Sequence, residues 1–470
     1  MVAFIKRIKM EDYLQKVSTV LPIYPVLPSS KLREYAFFHY KNSRSLHHEL
    51  ARNIEHSGKV TFESLSATFN AVNAAFISGF DELLEKLLDA NISKYPEVPF
   101  FYGKMAEHKT FQGDFESAFY YARKAYFIAP QFPKLKADLV RLYYSIVDTK
   151  QADEVAVKAV KRFPNSSAVL WAVCKNCSTE EQLQRILEAR KEKVEDNTQN
   201  FLRSVRPLAN AASRVERFDI AMDLYSKAIL MEIAGEGLGA PVKAKELTGK
   251  NSMKVIADVK EVLEGAGVPF FLCAGTVLGI VREGKPLEHD SDIDVGVWEQ
   301  DWDPERFAEA FTLHPQFKLD VPHPRNPKVS ILHRSGISLD LFRFYEEDAY
   351  YWHNGVFVRW GNTPFSLQTI EVEGLKLRIP DPAGKYLREN YGDWRTPVPG
   401  FDAFLSTNTE VIWPEYLDYH LVRQAFKYVC DGNLDRARKN LQKAEESLQQ
   451  VASGKELCDK FLADRQVNHS

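Results

Sequence analysis

A fixed step of 34 residues constrains the N-terminal half of this chain more than any other feature. The prolines that end three helix-like segments keep that step: Pro96, Pro130 and Pro164. Two pairs of alanines, each seven residues apart, repeat with it: Ala118 with Ala125, and Ala152 with Ala159. Small residues at this spacing let two helices approach closely, while a proline ends each pair and turns the chain into the next. The pattern predicts stacked helix pairs.

A further copy occurs in RFDIAMDLYSKAIL, where Ala221 and Ala228 keep the seven-residue spacing. The period and the small residues resemble the second helix of tetratricopeptide repeats. The resemblance implies an α-solenoid of helix pairs, which we predict for residues 61–240 after a capping segment at 1–60. The alternative is a non-repeating helical bundle, which has no reason to keep a constant proline step.

At 470 residues the chain is too long for one ordinary core, so we expect two or three domains. The stretch GEGLGAPVKAKELTGK is rich in Gly and Lys and predicts a domain boundary. A central domain at 245–402 follows it. Residues 403–470 return to a helical pattern, with Ala437 and Ala444 seven apart, and predict one more helix pair or a helical cap.

Charge and composition exclude some classes of partner. The chain has 61 basic and 64 acidic residues and a formal net charge of -3, so it offers no broad positive field for nucleic acid. No window approaches the ~20 apolar residues of a transmembrane helix, and no N-terminal secretory signal is evident. We therefore expect a cytoplasmic protein with at most peripheral membrane contact.

The five cysteines are sparse and odd in number, which is typical of a reducing compartment. Cys174 and Cys177 form a CxxC pair that could be half of a zinc site. Because no second Cys or His pair stands at ligand spacing and both lie in a helical stretch, packing is the favoured reading.

The central domain begins with a strand, a turn and a helix. SMKVIADVKEVLEGAG is an amphipathic helix, VPFFLC a buried strand, and Gly275-Thr276 the turn that leads into a second helix, TVLGIVRE. A helix that starts in this way exposes unpaired N–H groups and the positive end of the helix dipole. The turn therefore predicts a phosphate site.

DIDVGV is a second strand by alternation, so Asp292 and Asp294 share a face. Two neighbouring carboxylates repel each other and are best explained by a divalent cation, with Mg²⁺ expected and Mn²⁺ as the alternative. The strand SLDLFRFY supplies a third carboxylate, Asp340, which lies between leucines where an unpaired charge is costly.

This combination resembles the nucleotidyltransferase superfold, and residues 250–402 resemble its LicD/fukutin family of phosphotransferases. The segments that carry the resemblance are CAGTVLGIVREG, DSDIDVGV, SLDLFRFYEE, WHNG and YLRENYGDWRTPVP. FYEE, WHNG and NYG are more similar to the fukutin branch than to the choline-phosphate enzymes. The predicted fold class is therefore multidomain α and α/β: an α-solenoid, a nucleotidyltransferase-type mixed sheet with helices, and a C-terminal helical segment.

The resemblance implies roles for particular residues of this sequence. Asp292 and Asp294 would bind metal, and Asp340 would complete the metal site or accept the proton of the acceptor. The residues implied in donor binding are Gly275 and Thr276 at the phosphates, Arg282 further along the same helix, and Tyr391 and Trp394 closing the pocket. The alternative for Arg282 is an exposed helix arginine, and the two aromatic residues could equally be core. Whether His289 and Asp290 join the site stays open.

The resemblance also implies a reaction, the transfer of ribitol phosphate, glycerol phosphate or phosphocholine from a CDP-activated donor to a glycan hydroxyl in capsule or surface polysaccharide synthesis. The solenoid would dock the acceptor, a protein partner or membrane-associated machinery. Two alternatives remain, because a fold does not fix a function. They are transfer of a nucleotide and a non-catalytic repeat scaffold.

Overall fold

The chain forms two compact units, and each unit combines segments that are separated in the sequence. The computed structural model describes residues 65–146, 149–191, 198–235, 252–287, 290, 292–321, 328–398, 401–406 and 408–462. Within these residues, the sheet unit combines 65–129 with 252–412, and the helical unit combines 130–235 with 413–462. The helices of the predicted solenoid are thus divided between the units. The predicted domain limits remain predictions, since the capping segment at 1–60 and the boundary from residue 236 to 250 lie outside the described residues.

Ten α-helices are described between residues 65 and 235. They are α1 (Leu65–Ser78), α2 (Asp81–Lys94), α3 (Pro99–Phe111), α4 (Phe115–Ile128), α5 (Pro133–Ile146), α6 (Thr149–Arg162), α7 (Ser167–Cys174), α8 (Glu180–Lys191), α9 (Thr198–Arg214) and α10 (Phe218–Ile233).

The predicted repeat is visible in the helix limits. Helices α2, α4 and α6 each contain 14 residues and begin at Asp81, Phe115 and Thr149, which keeps the step found in the sequence. The alanines of the pattern are fully buried: Ala118, Ala125, Ala152 and Ala159. A side chain larger than methyl at these positions would push the packed helices apart, so the helical repeats are confirmed.

The C-terminal residues of the helical unit add α15 (Pro414–Cys430), α16 (Leu434–Lys443), α17 (Glu445–Leu448) and α18 (Ala452–Leu457). Aromatic rings join α15 to α10: Tyr419 lies 5.7 Å from Phe218, and Phe426 lies 5.4 Å from Tyr225. The predicted C-terminal helices are therefore confirmed, and they extend the helical array that α10 would otherwise end.

Cys174 and Cys177 are buried in the same unit. Burial raises the pKa of both thiols, that of Cys177 to about 11. Since metals bind the thiolate, these surroundings favour the packing reading of the CxxC pair. Among the described residues, no helix combines the length and the apolar composition needed to cross a bilayer.

Ten strands are described in the sheet unit. They are β1 (Phe271–Leu272), β2 (Asp292–Trp298), β3 (Phe317–Leu319), β4 (Lys328–His333), β5 (Ser338–Glu347), β6 (Tyr350–Asn354), β7 (Val358–Asn362), β8 (Ser366–Val372), β9 (Leu375–Asp381) and β10 (Thr409–Val411). Its remaining helices are α11 (Ser252–Gly265), α12 (Ala274–Glu283), α13 (Pro304–Leu313) and α14 (Ala383–Tyr391).

Eight strands form one mixed sheet in the order β1-β2-β5-β6-β7-β10, with β4 pairing with β5 and β3 with β4, while β8 and β9 form a separate hairpin. Only β2 and β5 run parallel among the described pairs. One core lies where apolar residues of β2 and β5 meet α11 and α13. The five apolar residues expected on one face of α11 are all buried: Val255, Ile256, Val259, Val262 and Leu263. The mixed sheet with helices is confirmed.

Arg334, in the turn between β4 and β5, joins the sheet to the first helices. Its guanidinium pairs with Asp81 of α2 and donates to Nδ1 of His108 on α3 at 3.2 Å. The group also lies 4.9 Å from the ring centre of Phe76 and 5.4 Å from that of Phe111. The Arg334 side chain is fully buried, so the helices of residues 65–128 are part of the core of this unit.

Arg334→Met should therefore lower the free energy of unfolding of the sheet unit by about 3 kcal/mol, because it leaves buried polar partners without their cation. Hydrogen exchange of the helices at 65–128, followed in urea, measures the change. The matched control is Arg359→Met, since Arg359 pairs with Glu410 at a half-exposed site and should contribute less than about 1 kcal/mol. Equal effects of the two variants would contradict this account.

His353 of β6 is buried between aromatic rings. Its ring stacks on Phe344 at 4.3 Å and on Trp360 at 5.3 Å, and the residue is 2% exposed. Burial, helped by the charge of Lys328, lowers the pKa of His353 to about 3. The unfolded chain therefore takes up this proton before the folded chain does, and stability present above about pH 6.5 is lost as the pH falls.

His353→Phe should preserve the stacking and remove the proton. Its free energy of unfolding should fall less steeply below pH 6.5 than that of the wild type, by about 1.4 kcal/mol per pH unit. Urea unfolding at pH 6 and pH 5 compares the two slopes. Identical slopes would show that His353 is not held neutral.

Candidate functional site

Two neighbouring strands bring the three predicted aspartates together. On β2, Ile293 and Val295 are buried in the core, so the alternating Asp292 and Asp294 face the other side of the sheet. The parallel register of β2 and β5 places Asp294 directly beside Asp340. Asp340 itself is buried, between two fully buried leucines of β5.

The carboxylates lie close enough to share a cation. One oxygen from each of Asp292, Asp294 and Asp340 lies within 4.8 Å of the others. Burial, followed by the charge and a hydrogen bond of Asp290, raises the pKa of Asp292 to about 7. Burial and the charge of Asp292 likewise hold the pKa of Asp294 well above its usual value. Proximity of like charges therefore opposes ionisation here, and a divalent cation held by oxygen ligands would remove the repulsion.

Gly275 packs the start of α12 against these carboxylates. Its N–H donates to Oδ2 of Asp294 at 3.0 Å, and the hydroxyl of Thr276 accepts from the Asp294 N–H at 2.8 Å. A Cβ atom on Gly275 would lie 2.7 Å from Oδ2 of Asp290 and 3.3 Å from Oδ2 of Asp294. Only glycine leaves room for both carboxylates. Asp290 thus joins Asp292, Asp294 and Asp340 in one acidic cluster, while His289 lies outside the described residues.

The amides expected to cradle phosphate bind groups of the protein itself. The Ala274 N–H donates to the Tyr386 hydroxyl at 3.0 Å, and the Gly275 N–H is occupied by Asp294. Thr276 is 1% exposed, with its hydroxyl turned to the β2 backbone. The structure thus places Gly275 and Thr276 at the acidic cluster, and their contact with donor phosphates stays a prediction.

Arg282 and Trp394 meet at the opposite end of α12. Nη1 of Arg282 donates to the Trp394 carbonyl at 3.4 Å, and the guanidinium pairs with Glu283 at 3.0 Å. The Trp394 ring belongs to the core of the sheet unit and is 8% exposed. These contacts give both residues a structural part, and their binding of the donor stays a prediction.

Tyr391 ends α14 and lies nearer to the acidic cluster. Its ring packs 5.2 Å from that of Phe401. Burial raises the pKa of its hydroxyl well above the usual value, with smaller contributions from Tyr386 and Asp294. Of the residues predicted to bind the donor, Tyr391 is therefore brought within electrostatic reach of the carboxylates together with Gly275 and Thr276.

Two residues of β4 were missed by the sequence analysis. Nζ of Lys328 pairs with Oδ2 of Asp340, and Oγ of Ser330 donates to Oδ1 of Asp340 at 2.7 Å. The register places Ser330 opposite Asp340, and Lys328 lies two residues before it on the same face. The alternation Lys-x-Ser was the available signal. The sequence does not show, however, that β4 pairs with β5. For Asp290, whose part in the site the sequence left open, the signal was the same two-residue spacing that separates Asp292 from Asp294.

Comparison with known proteins agrees with this geometry. A family model described as LicD/FKTN/FKRP, nucleotidyltransferase domain, matches residues 267–381. Curated relatives include the ribitol-5-phosphate transferase FKTN of Mus musculus, which is 29% identical over 165 residues, 33% of this chain and 35% of the relative. The proteins of the same name from Macaca fascicularis and Homo sapiens are each 26% identical over 165 residues, with the same coverage.

The chain thus spans about a third of the length of these relatives. The matched segment runs from before β1 to the end of β9 and contains the whole acidic cluster and α12. The central part of this chain therefore matches the LicD/FKTN/FKRP nucleotidyltransferase domain, and the helices that precede it form tetratricopeptide-like repeats.

Proposed function

We propose that the protein is a metal-dependent phosphotransferase that moves an alcohol phosphate from a CDP-activated donor to a hydroxyl of a glycan. The observation that carries the proposal is the meeting of Asp292, Asp294 and Asp340 beside the start of α12, within a LicD-type domain. Ribitol phosphate and glycerol phosphate are favoured over phosphocholine. The relatives are ribitol-5-phosphate transferases, which supports ribitol phosphate among the three.

The acidic cluster fits a hard divalent cation. Its donors are carboxylate oxygens, which Mg²⁺ and Mn²⁺ prefer, and they come from rigid strands. Asp292 and Asp294 would hold the ion. When bound, such an ion supplies neutralisation of the donor diphosphate and of the charge that develops on the leaving group.

The protein groups then have separate tasks. Gly275 leaves the space in which the Asp290 and Asp294 carboxylates meet the helix. Asp340, oriented by Lys328 and Ser330, accepts the proton of the acceptor hydroxyl. The acceptor oxygen forms a bond to the distal phosphorus, the bond from that phosphorus to the bridging oxygen breaks, and CMP departs with the electron pair. Catalysis of this kind is mainly positioning and electrostatic stabilisation.

Product analysis tests the proposal. The full chain is incubated with Mg²⁺, a glycan acceptor and CDP-ribitol, CDP-glycerol or CDP-choline in turn, and CMP is measured. Release of CMP with transfer of the alcohol phosphate is expected from at least one donor. Release of diphosphate from a nucleoside triphosphate would instead favour nucleotide transfer, and the absence of any turnover would favour a repeat scaffold.

Asp292→Asn should lower the rate of CMP release about a thousandfold or more, because it removes a charged ligand from the cation site. Rates are compared at saturating donor and Mg²⁺. Asp348→Asn, in the exposed turn between β5 and β6, is the matched control and should leave the rate unchanged. An active Asp292→Asn variant would contradict the proposal.

Gly275→Ala should weaken Mn²⁺ binding about tenfold, since the new methyl group displaces the carboxylates of Asp290 and Asp294. Isothermal titration calorimetry measures the affinity. Gly265→Ala, at the end of α11, is the control, because a Cβ there meets no described atom within 4 Å. Equal affinities for the two variants would show that Gly275 does not shape the site.

A further inference from the structure

Lys328 occupies the side of Asp340 that faces β4. Its ammonium pairs with Oδ2 of Asp340, while the Ser330 hydroxyl holds Oδ1. The ammonium also lies 5.2 Å from the ring centre of Phe342, the next residue along the same face of β5. The Lys328 side chain is 23% exposed, so the contact is only partly screened by water. Both oxygens of Asp340 therefore have a donor from the same strand.

This arrangement bears on the number of metal ions in the site. In a two-metal centre the ions lie about 3.5–4 Å apart and share carboxylate oxygens. Asp340 is the carboxylate that β5 contributes, and an ammonium already lies on its Oδ2. A second divalent ion at Asp340 would meet a like charge at contact distance, whereas Asp292 and Asp294 on β2 lie on the other side of Asp340 from β4.

We propose that Lys328 is a positioning residue that takes the place of a second metal ion. The site then binds one divalent ion through Asp292 and Asp294, and Lys328 with Ser330 fixes the Asp340 carboxylate toward the acceptor hydroxyl. The role assigned to the acceptor rests on the proposed function. The number of ions does not, because it follows from the contacts of Lys328 alone.

The first test is a titration of the full-length wild type with Mn²⁺, in which electron paramagnetic resonance counts free and bound ions. One tightly bound Mn²⁺ per chain is expected. Two ions of comparable affinity would overturn the proposal. A wild type that binds one Mn²⁺ but releases no CMP supports this inference and contradicts the proposed function, so the two can fail separately.

The second test is Lys328→Met, which keeps the length of the side chain and removes the charge. Mn²⁺ should bind about tenfold more tightly, because a like charge near the ion is gone. The rate of CMP release should fall about a hundredfold, since Asp340 loses its orientation. A purely structural role would weaken metal binding and activity together. Unchanged or weaker Mn²⁺ binding by a folded Lys328→Met chain overturns the proposal.

Three further variants make the comparison specific. Lys328→Arg restores the charge and should return the Mn²⁺ affinity to that of the wild type. Ser330→Ala removes a neutral donor and should change the affinity less than about twofold. Lys376→Met, at an exposed position on β9, controls for loss of a remote positive charge and should change neither readout. Thermal unfolding checks that each chain is folded, and the wild-type ion count decides the matter if Lys328→Met is not.

Discussion

Repulsion between carboxylates on two parallel strands is the constraint on which the site depends. The register of β2 and β5 forces Asp294 beside Asp340, and the alternation of β2 adds Asp292 on the same face. Buried like charges at this separation are unfavourable. The surrounding contacts act against that repulsion: the Gly275 N–H donates a hydrogen bond to Asp294, and the Lys328 ammonium pairs with Asp340. These contacts surround a group of carboxylate oxygens that would suit a divalent cation.

The N-terminal helices contribute to the same site at a distance. β4 carries Lys328 and Ser330, and β5 carries Asp340. The turn between these strands holds Arg334, which is buried and contacts Asp81 of α2 and His108 of α3. His333, in the same hairpin, bonds to Asp258 of α11 at 3.1 Å. Contacts with α11 on one side and with α2 and α3 on the other thus hold the turn of the hairpin in place. They also help to fix the positions of Lys328 and Ser330, which orient Asp340.

Much of the fold and of the candidate site could be predicted from the sequence, because the signals were local. Helix limits followed the proline step, the acidic face of β2 followed from alternation, and Asp340 was marked by its apolar neighbours. Lys328 and Ser330 could not be found in this way, since strand order in a mixed sheet is a long-range property. The contacts of Arg282 and Trp394 were missed for a related reason: a helix arginine pairs with whatever the fold brings to it, here a carbonyl more than a hundred positions along the chain.

The burial of Arg334 also limits how this domain can be exchanged between proteins. The stretch matched by the family model begins at residue 267, yet its hairpin inserts a cation between rings from a segment far upstream. Grafting residues 267–381 onto another chain would leave that guanidinium facing water or an unrelated surface. A receiving protein that supplied an equivalent pocket of aromatic rings and a carboxylate would restore the contacts that Arg334 makes here.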